Sequence, residues 1–264
     1  MRLDGRVAIV VGGGQTPGDT IGNGRAAAIL FAREGAHVLV ADRDLASAEE
    51  TRAMIAAEGG SSDTIEIDVT REDDCRRLAE ACVERHGRID ILHNNVGIGT
   101  GDAGVRHIEL ETFERIFRVN LEGPLLTCKH VLPVMRAQGS GVIINISSIA
   151  SIAAATGIVA YKTSKAALNA LTQTLAMANA RHGIRVNAIL PGLINTPMAI
   201  EGISAARGIT KEQLIEQRDR QVPMGKMGTA WDVAKAAVFL ASDDAAFITG
   251  VLLPVDGGQS LRVG

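Results

Sequence analysis

Short strand-like runs alternate with helical patterns along this whole chain, and that alternation leaves it few folds to choose from. Val7 to Val11 is continuously apolar, as a strand covered on both faces must be. Further strands are predicted at His37–Ala41, Thr64–Asp68, Ile89–His93, Val142–Ile146, Arg185–Leu190 and Val251–Val255. Between them the spacing predicts helices over Arg25–Glu34, Leu45–Glu58, Leu110–Arg136 and Tyr161–His182. Thr70 with Asp73 reads as a capping box opening a helix to His86, and Thr229 with Asp232 as another opening a helix to Ser242. Gly123-Pro124 predicts a bend in the long helix. The expectation is one α/β domain over residues 1–264, doubly wound, with helices on both faces of a mostly parallel sheet of about seven strands. Only Pro191 to Gly228 departs from the pattern, as a less regular insertion.

Composition agrees. Apolar residues make up 46% of the 264 and aromatics only 3%, so the core is built from Ala, Val, Ile and Leu. With 27 basic and 30 acidic residues the net charge is -3, without a basic block or tail, which argues against nucleic acid or an anionic membrane as partner. No apolar run reaches membrane-spanning length, and the start lacks the layout of a signal peptide. Cys75, Cys82 and Cys128 are too few for a disulfide framework, and no C-x-x-C or Cys/His cluster points to a metal. A small-molecule role in a reducing cytoplasm is expected.

The first strand runs into Gly12-Gly13-Gly14-Gln15-Thr16-Pro17-Gly18-Asp19-Thr20-Ile21-Gly22-Asn23-Gly24. A glycine loop between strand and helix lets backbone N–H groups and the helix N-terminus approach a pyrophosphate without Cβ atoms in the way. Asp42 ends the second strand, where its carboxylate can accept from the adenosine ribose hydroxyls and would repel a 2′-phosphate. That favours NAD over NADP, although Arg43 follows directly and is able to pair with a phosphate. Asp68-Val69, at the end of the third strand, is placed to meet the adenine or to be an ordinary strand end.

On a helix, Tyr161 and Lys165 lie one turn apart on the same face. Tyr161 is the only tyrosine in the chain, so it is not generic packing material. A tyrosinate base at neutral pH needs its pKa lowered by about 3 units, or about 4 kcal/mol, and an adjacent lysine charge acts in that direction. The expectation is a Tyr161 phenol held low by Lys165.

Tyr161 and Lys165, Ser148 upstream of them, Asn120 in Val119-Asn120-Leu121-Glu122-Gly123, Asn94-Asn95-Val96-Gly97 and Pro191-Gly192-Leu193-Ile194-Asn195-Thr196 occur in this order. Together they resemble the short-chain dehydrogenase/reductase family of the single-domain type, over essentially the whole chain. The resemblance implies a Rossmann-type domain and a catalytic tetrad of Asn120, Ser148, Tyr161 and Lys165. Tyr161 would exchange the proton with the substrate oxygen, which Ser148 would also hydrogen-bond. Lys165 would hold the nicotinamide ribose, and Asn120 would position a water linking the lysine to solvent. Gly13, Gly22 and Gly24 stand as counterparts of the three family glycines. Ile194 is expected to meet the carboxamide by its backbone and Thr196 the pyrophosphate, in the loop that Pro191 and Gly192 open. Asn94 and Gly97 would support the adenosine side and the central strand.

Departures from the family pattern are Gly12-Gly13 in place of Thr-Gly, Val96 for alanine, Ser151 for glycine, and a loop before Ile21 that is longer by several residues. Ile149 to Thr156, with small apolar Ile152, Ala153, Ala154 and Ala155, the Gly99 to Val105 loop and Met198 to Met224 are expected to wall the substrate site. Residues 191–228 would form its lid. These features point to an NAD-dependent dehydrogenase or reductase of a compact secondary alcohol or ketone. The alternatives are an NADP-dependent 3-oxoacyl thioester reductase and a non-catalytic nucleotide sensor of the same fold. The resemblance also implies a homotetramer, with faces around Leu121–Val134, Leu168–Ala178 and Val251–Val255 as interfaces.

Overall fold

β1 spans Val7–Val11, and all of it is buried. A strand with no polar face belongs in the middle of a covered sheet, and that is where it lies. β2 (His37–Asp42) and β4 (Ile91–Asn94) flank it in parallel register, Val10 facing Val40 on one side and His93 on the other. β3 (Ser61–Glu66), β5 (Gly141–Ile146), β6 (Ile184–Pro191) and β9 (Leu252–Val255) extend the sheet to seven parallel strands in the order β3-β2-β1-β4-β5-β6-β9. The computed structural model describes residues 1–153 and 156–261. Ala154 and Ala155 of the expected substrate wall lie outside that range.

Side chains along β1 alternate between two cores, as the period of a strand requires. Ala8 and Val10 pack with Phe31, Val38 and Leu240 under α1 (Asn23–Arg33), α2 (Leu45–Ala57) and α9 (Ala230–Ala241). Val7, Ile9 and Val11 pack with Leu39, Leu78, Val131 and Ile143 under α3 (Glu72–His86), α5 (Gly123–Gln138) and α6 (Val159–Asn179). Each fully buried Ile, Leu or Val stabilises the fold by roughly 1.5–3 kcal/mol. Ala26 and Ala27 meet Ala230 and Ala234, so α1 and α9 touch through methyl groups. Strand order reverses between β1 and β4, and the crevice above their C-terminal ends is where an open α/β sheet binds ligands.

Several boundaries differ from expectation for physical reasons. The third strand runs Ser61–Glu66, so Asp68 lies just beyond it. Thr70 caps nothing: its hydroxyl donates to Asp68 Oδ1 at 2.7 Å, while α3 begins at Glu72 with Arg71 in the cap position. The long helix is three pieces, α4 (Leu110–Phe117), a wide π-type turn at Arg118–Glu122, and α5. Gly123-Pro124 therefore opens α5, and the irregularity falls just before it. Pro191 to Gly228 is more regular than expected. It holds β7 (Ile194–Asn195), paired with β8 (Gly228–Thr229), and two helices, α7 (Pro197–Arg207) and α8 (Lys211–Asp219). The Thr229–Asp232 capping box forms as read. No described helix is long and apolar enough to cross a membrane.

Candidate active site

The glycine loop occupies the crevice. Gly12 takes φ +75° as the chain leaves β1. A Cβ on Gly24 would stand 1.9 Å from Gly12 O and 2.5 Å from Asn95 Nδ2, and one on Gly13 would stand 2.7 Å from Val40 Cγ1. Both positions admit only glycine unless the backbone moves. Gly22 sits in the cap position of α1 with no side chain over the first N–H groups, and the first turn holds no acid. Free donors at the positive end of a helix suit a phosphate. Gln15 folds the loop onto itself, accepting from Gly22 N at 2.9 Å.

Residues the sequence reading passed over hold this loop in place. Thr51 Oγ1 donates to Gly13 O at 2.8 Å, Ser47 Oγ accepts from Gln15 N at 2.9 Å, and Asn95 Nδ2 donates to Gly12 O at 3.1 Å. Arg25, though next to the loop, is turned into α2, where it donates to Thr51, Ser47 and Glu50. Asp42 stands at the crevice edge as expected, its Oδ2 accepting from Gly14 N at 2.9 Å. Arg43 beside it is exposed. Asp68 Oδ1 is taken by Thr70, and buried Val69 packs against Gly123, where a Cβ would come within 2.8 Å of it.

Asn94 is held within the sheet. It is buried, its Nδ2 donating to Asn145 Oδ1 at 3.0 Å and its Oδ1 accepting from Thr127 Oγ1 at 2.8 Å. Asn145 in turn donates to Thr172. The side chain of Asn94 therefore clamps β4 and β5 to α5 and α6, and its amide is committed to protein partners.

Ser148, Tyr161, Lys165 and Asn120 converge above β4 and β5. The two adjacent serines separate: Ser147 is buried and donates to Lys165 O at 3.1 Å, whereas Ser148 Oγ accepts from Ala150 N at 3.1 Å and is near enough to the Tyr161 phenol to act on its pKa. Lys165 Nζ lies 6.0 Å from the Tyr161 ring centre and donates to Ile146 O at 2.8 Å and Val96 O at 3.2 Å. An ammonium has three donors, so one remains. Asn120, on the π-type turn, accepts from Ile98 N at 2.8 Å and donates to Ile98 O and Ser164 Oγ. A Cβ on Gly97 would fall 3.0 Å from Lys165 Nζ and 3.7 Å from Asn120 Oδ1. Glycine at that position keeps open the space between the two side chains.

The start of α6 is fixed from outside the helix. Asp102 accepts from Tyr161 N at 2.7 Å and from Ala160 N at 3.1 Å, supplying the carboxylate cap that α6 itself lacks. Nothing in the sequence spacing marks Asp102, which lies far from α6 along the chain.

One electrostatic expectation is reversed. Burial pushes the Tyr161 phenol above its ordinary value, and only the hydrogen bond with Ser148 opposes it. Burial also lowers Lys165, to about 7. Desolvation penalises the phenolate and the ammonium alike.

The 191–228 segment begins with the Pro191–Thr196 turn. Gly192 donates to Val255 O at 3.0 Å and leaves no room for a Cβ beside Asp256, Ile194 is buried in the β7–β8 pair, and Thr196 caps α7 by its carbonyl while its hydroxyl makes no cap bond. The lengthened glycine loop reaches this segment. Lys211 Nζ lies 2.8 Å from Asp19 Oδ2 and 2.7 Å from Glu201 Oε2, joining the insertion to α7 and α8. On the opposite wall, Ile152 is exposed and Lys162 Nζ donates to the carbonyls of Ala150 and Ala153.

A family model described as "Enoyl-(Acyl carrier protein) reductase" matches residues 19–260. The chain is 40% identical to 2-(R)-hydroxypropyl-CoM dehydrogenase of Xanthobacter autotrophicus, over 97% of this chain and 98% of that one. Its fold superposes with a TM-score of 0.94, at 42% identity, on a solved structure described as a short-chain dehydrogenase/reductase from Burkholderia xenovorans, covering 100% of this chain and 99% of the other. An NAD+-bound xylitol dehydrogenase matches with a TM-score of 0.90 at 31% identity, covering 98% of this chain and 100% of that one.

Proposed function

Because the chain belongs to the short-chain dehydrogenase/reductase family, we propose that it moves a hydride between NAD and a secondary alcohol or its ketone, with Tyr161 transferring the proton. Oxidoreductase chemistry on alcohols and ketones, with a nicotinamide dinucleotide, comes with the family. The observation that carries the roles is the placing of Lys165 Nζ 6.0 Å from the Tyr161 ring on α6, above the strand ends and beside a glycine loop that a Cβ would close.

The residues fit the cofactor. The N–H groups of the loop and of α1 would hold the pyrophosphate, Asp42 the adenosine ribose, Lys165 the nicotinamide ribose, and the backbone near Ile194 and the Thr196 hydroxyl the far end. A bound nicotinamide supplies or accepts the hydride. Tyr161 carries its proton at neutral pH, so in the reductive direction it donates that proton to the carbonyl oxygen, and Ser148 hydrogen-bonds the same oxygen as charge develops on it. In the oxidative direction the phenolate takes the hydroxyl proton. Asn120 holds the Ile98 segment beside Lys165. The Asp42 carboxylate at the end of β2 supports NAD over NADP, against the exposed Arg43 beside it.

A homotetramer is part of this reading. Leu125 on α5 and Met177 on α6 are exposed apolar side chains on the helix faces proposed as interfaces. Cys75, Cys82 and Cys128 are free and buried, their thiols pushed up to about 12 by burial, which supports a cytoplasmic setting.

The test is turnover of secondary alcohols with NAD by wild type and Tyr161→Phe, with NADH and NADPH binding titrated in both. Loss of about 10²- to 10⁴-fold in kcat with NADH affinity retained is expected. Unchanged turnover would remove Tyr161 from its role, and tighter NADPH binding would overturn the Asp42 argument.

A further inference from the structure

A second cluster of chemically capable side chains lies at the far end of the sheet from the glycine loop. His37 opens β2 and pairs in register with Ser61, so Ser61 and Asp63, two residues apart on β3, share its face. His86 ends α3, which covers that face, and Gly87 turns the chain away directly afterwards with φ +73°. His37 Nε2 is 3.1 Å and His86 Nε2 2.9 Å from the same oxygen, Asp63 Oδ2. The two imidazole rings stand 4.1 Å apart between centroids. One ligand atom from each of the three residues lies within 4.8 Å of the others.

Two further features suit a cation. His37 Nδ1 is 2.7 Å from Ser61 Oγ, and donation to that hydroxyl leaves the Nε2 lone pair facing the cluster, which is how an outer partner sets a ligating imidazole. His86 Nε2 is buried and close to the carboxylate, yet not aligned for a hydrogen bond, so its polar capacity is unspent. The cluster also sits at the negative end of α3. Arg85, which donates to Thr64 O nearby, is the opposing charge.

We propose that His37, Asp63 and His86 form a binding site for a divalent transition ion of the zinc class, water completing its coordination. Two neutral imidazoles and a carboxylate are a borderline donor set that favours such ions over magnesium or calcium. Bound there, the ion ties the edge strands β2 and β3 to the end of α3, away from the nicotinamide crevice.

Chelator-stripped protein titrated with Zn²⁺ by calorimetry should bind one ion per chain, and Co²⁺ should give d–d absorption bands of nitrogen and oxygen coordination. Saturating Zn²⁺ should raise Tm by about 5 °C. His37→Gln, Asp63→Asn and His86→Gln should each weaken binding by at least about 10- to 100-fold and abolish the Co²⁺ bands, while alcohol turnover stays at the wild-type level and reports an intact fold. Absence of stoichiometric binding overturns the proposal and leaves a shared-proton cluster. Equal binding in wild type and the three variants also overturns it, because the ion would then sit on other histidines.

Discussion

Tyr161 is half-buried and His93 fully buried, and desolvation moves each in the direction that disfavours its charged form. For Tyr161 the consequence is kinetic. A phenol raised above its ordinary value is an acid at neutral pH and a base only at alkaline pH. Alcohol oxidation should therefore speed up with pH through the alkaline range, while ketone reduction stays flat or falls; rates measured from pH 6 to 10.5 in both directions check this, and an oxidation rate already flat at pH 7 would show a low phenol. For His93 the consequence is stability. It is fully buried on β4 against Phe31, its ring nitrogens lack partners, and its pKa falls to about 3. The unfolded ring binds a proton near pH 6.5 and the folded ring does not. Stability is thus intact above about pH 6.5 and lost as pH falls toward about 3, by up to about 1.4 kcal/mol per pH unit from this group. Urea unfolding of His93→Leu should show a shallower acid slope than wild type and greater stability at pH 5; parallel slopes would acquit His93. The sequence made Tyr161, Lys165 and Ser148 legible by type and spacing. The sign of the Tyr161 shift was not legible, because it depends on the desolvation that packing imposes.

At the scale of elements, helical periodicity was enough to put Tyr161 and Lys165 on one face of α6, whereas the anchor of that helix, Asp102, was invisible. Local spacing reports only neighbours within a turn or two. The π-type turn carrying Asn120 was likewise missed, since such a bulge has no compositional mark and the adjacent Gly123-Pro124 attracts the explanation. The insertion in the glycine loop finds its reason in α7 and α8: Asp19 and Glu201 both hold Lys211, raising its pKa. These are exposed charges, screened by salt. Lys211→Ala should raise KM for the cofactor by roughly 2- to 5-fold with kcat nearly unchanged, and it should flatten the rise of KM with ionic strength seen in wild type. An unchanged KM at low salt would mean that the latch does not couple the loop to the lid.

The whole molecule is a parallel sheet with one core rich in alanine, isoleucine and valine and another rich in isoleucine, valine and leucine, and its remaining apolar surface bears on assembly. Sedimentation should give the mass of four chains, and Leu125→Lys with Met177→Lys should reduce it, while a monomeric wild type would remove the tetramer from the proposal. By itself the sequence determined the alternation of strands and helices, the parallel sheet and the position of the glycine loop, because each is written in local period or residue type. It placed the Thr70 cap wrongly, because that hydroxyl turns back to Asp68, and it read the 191–228 segment loosely, because β7 there pairs with β8 far along the chain. Tertiary structure alone decided strand order, and with it the crevice between β1 and β4. It also decided that His37, Asp63 and His86 meet. Strand pairing and helix packing bring together residues whose separation in sequence carries no trace of their contact.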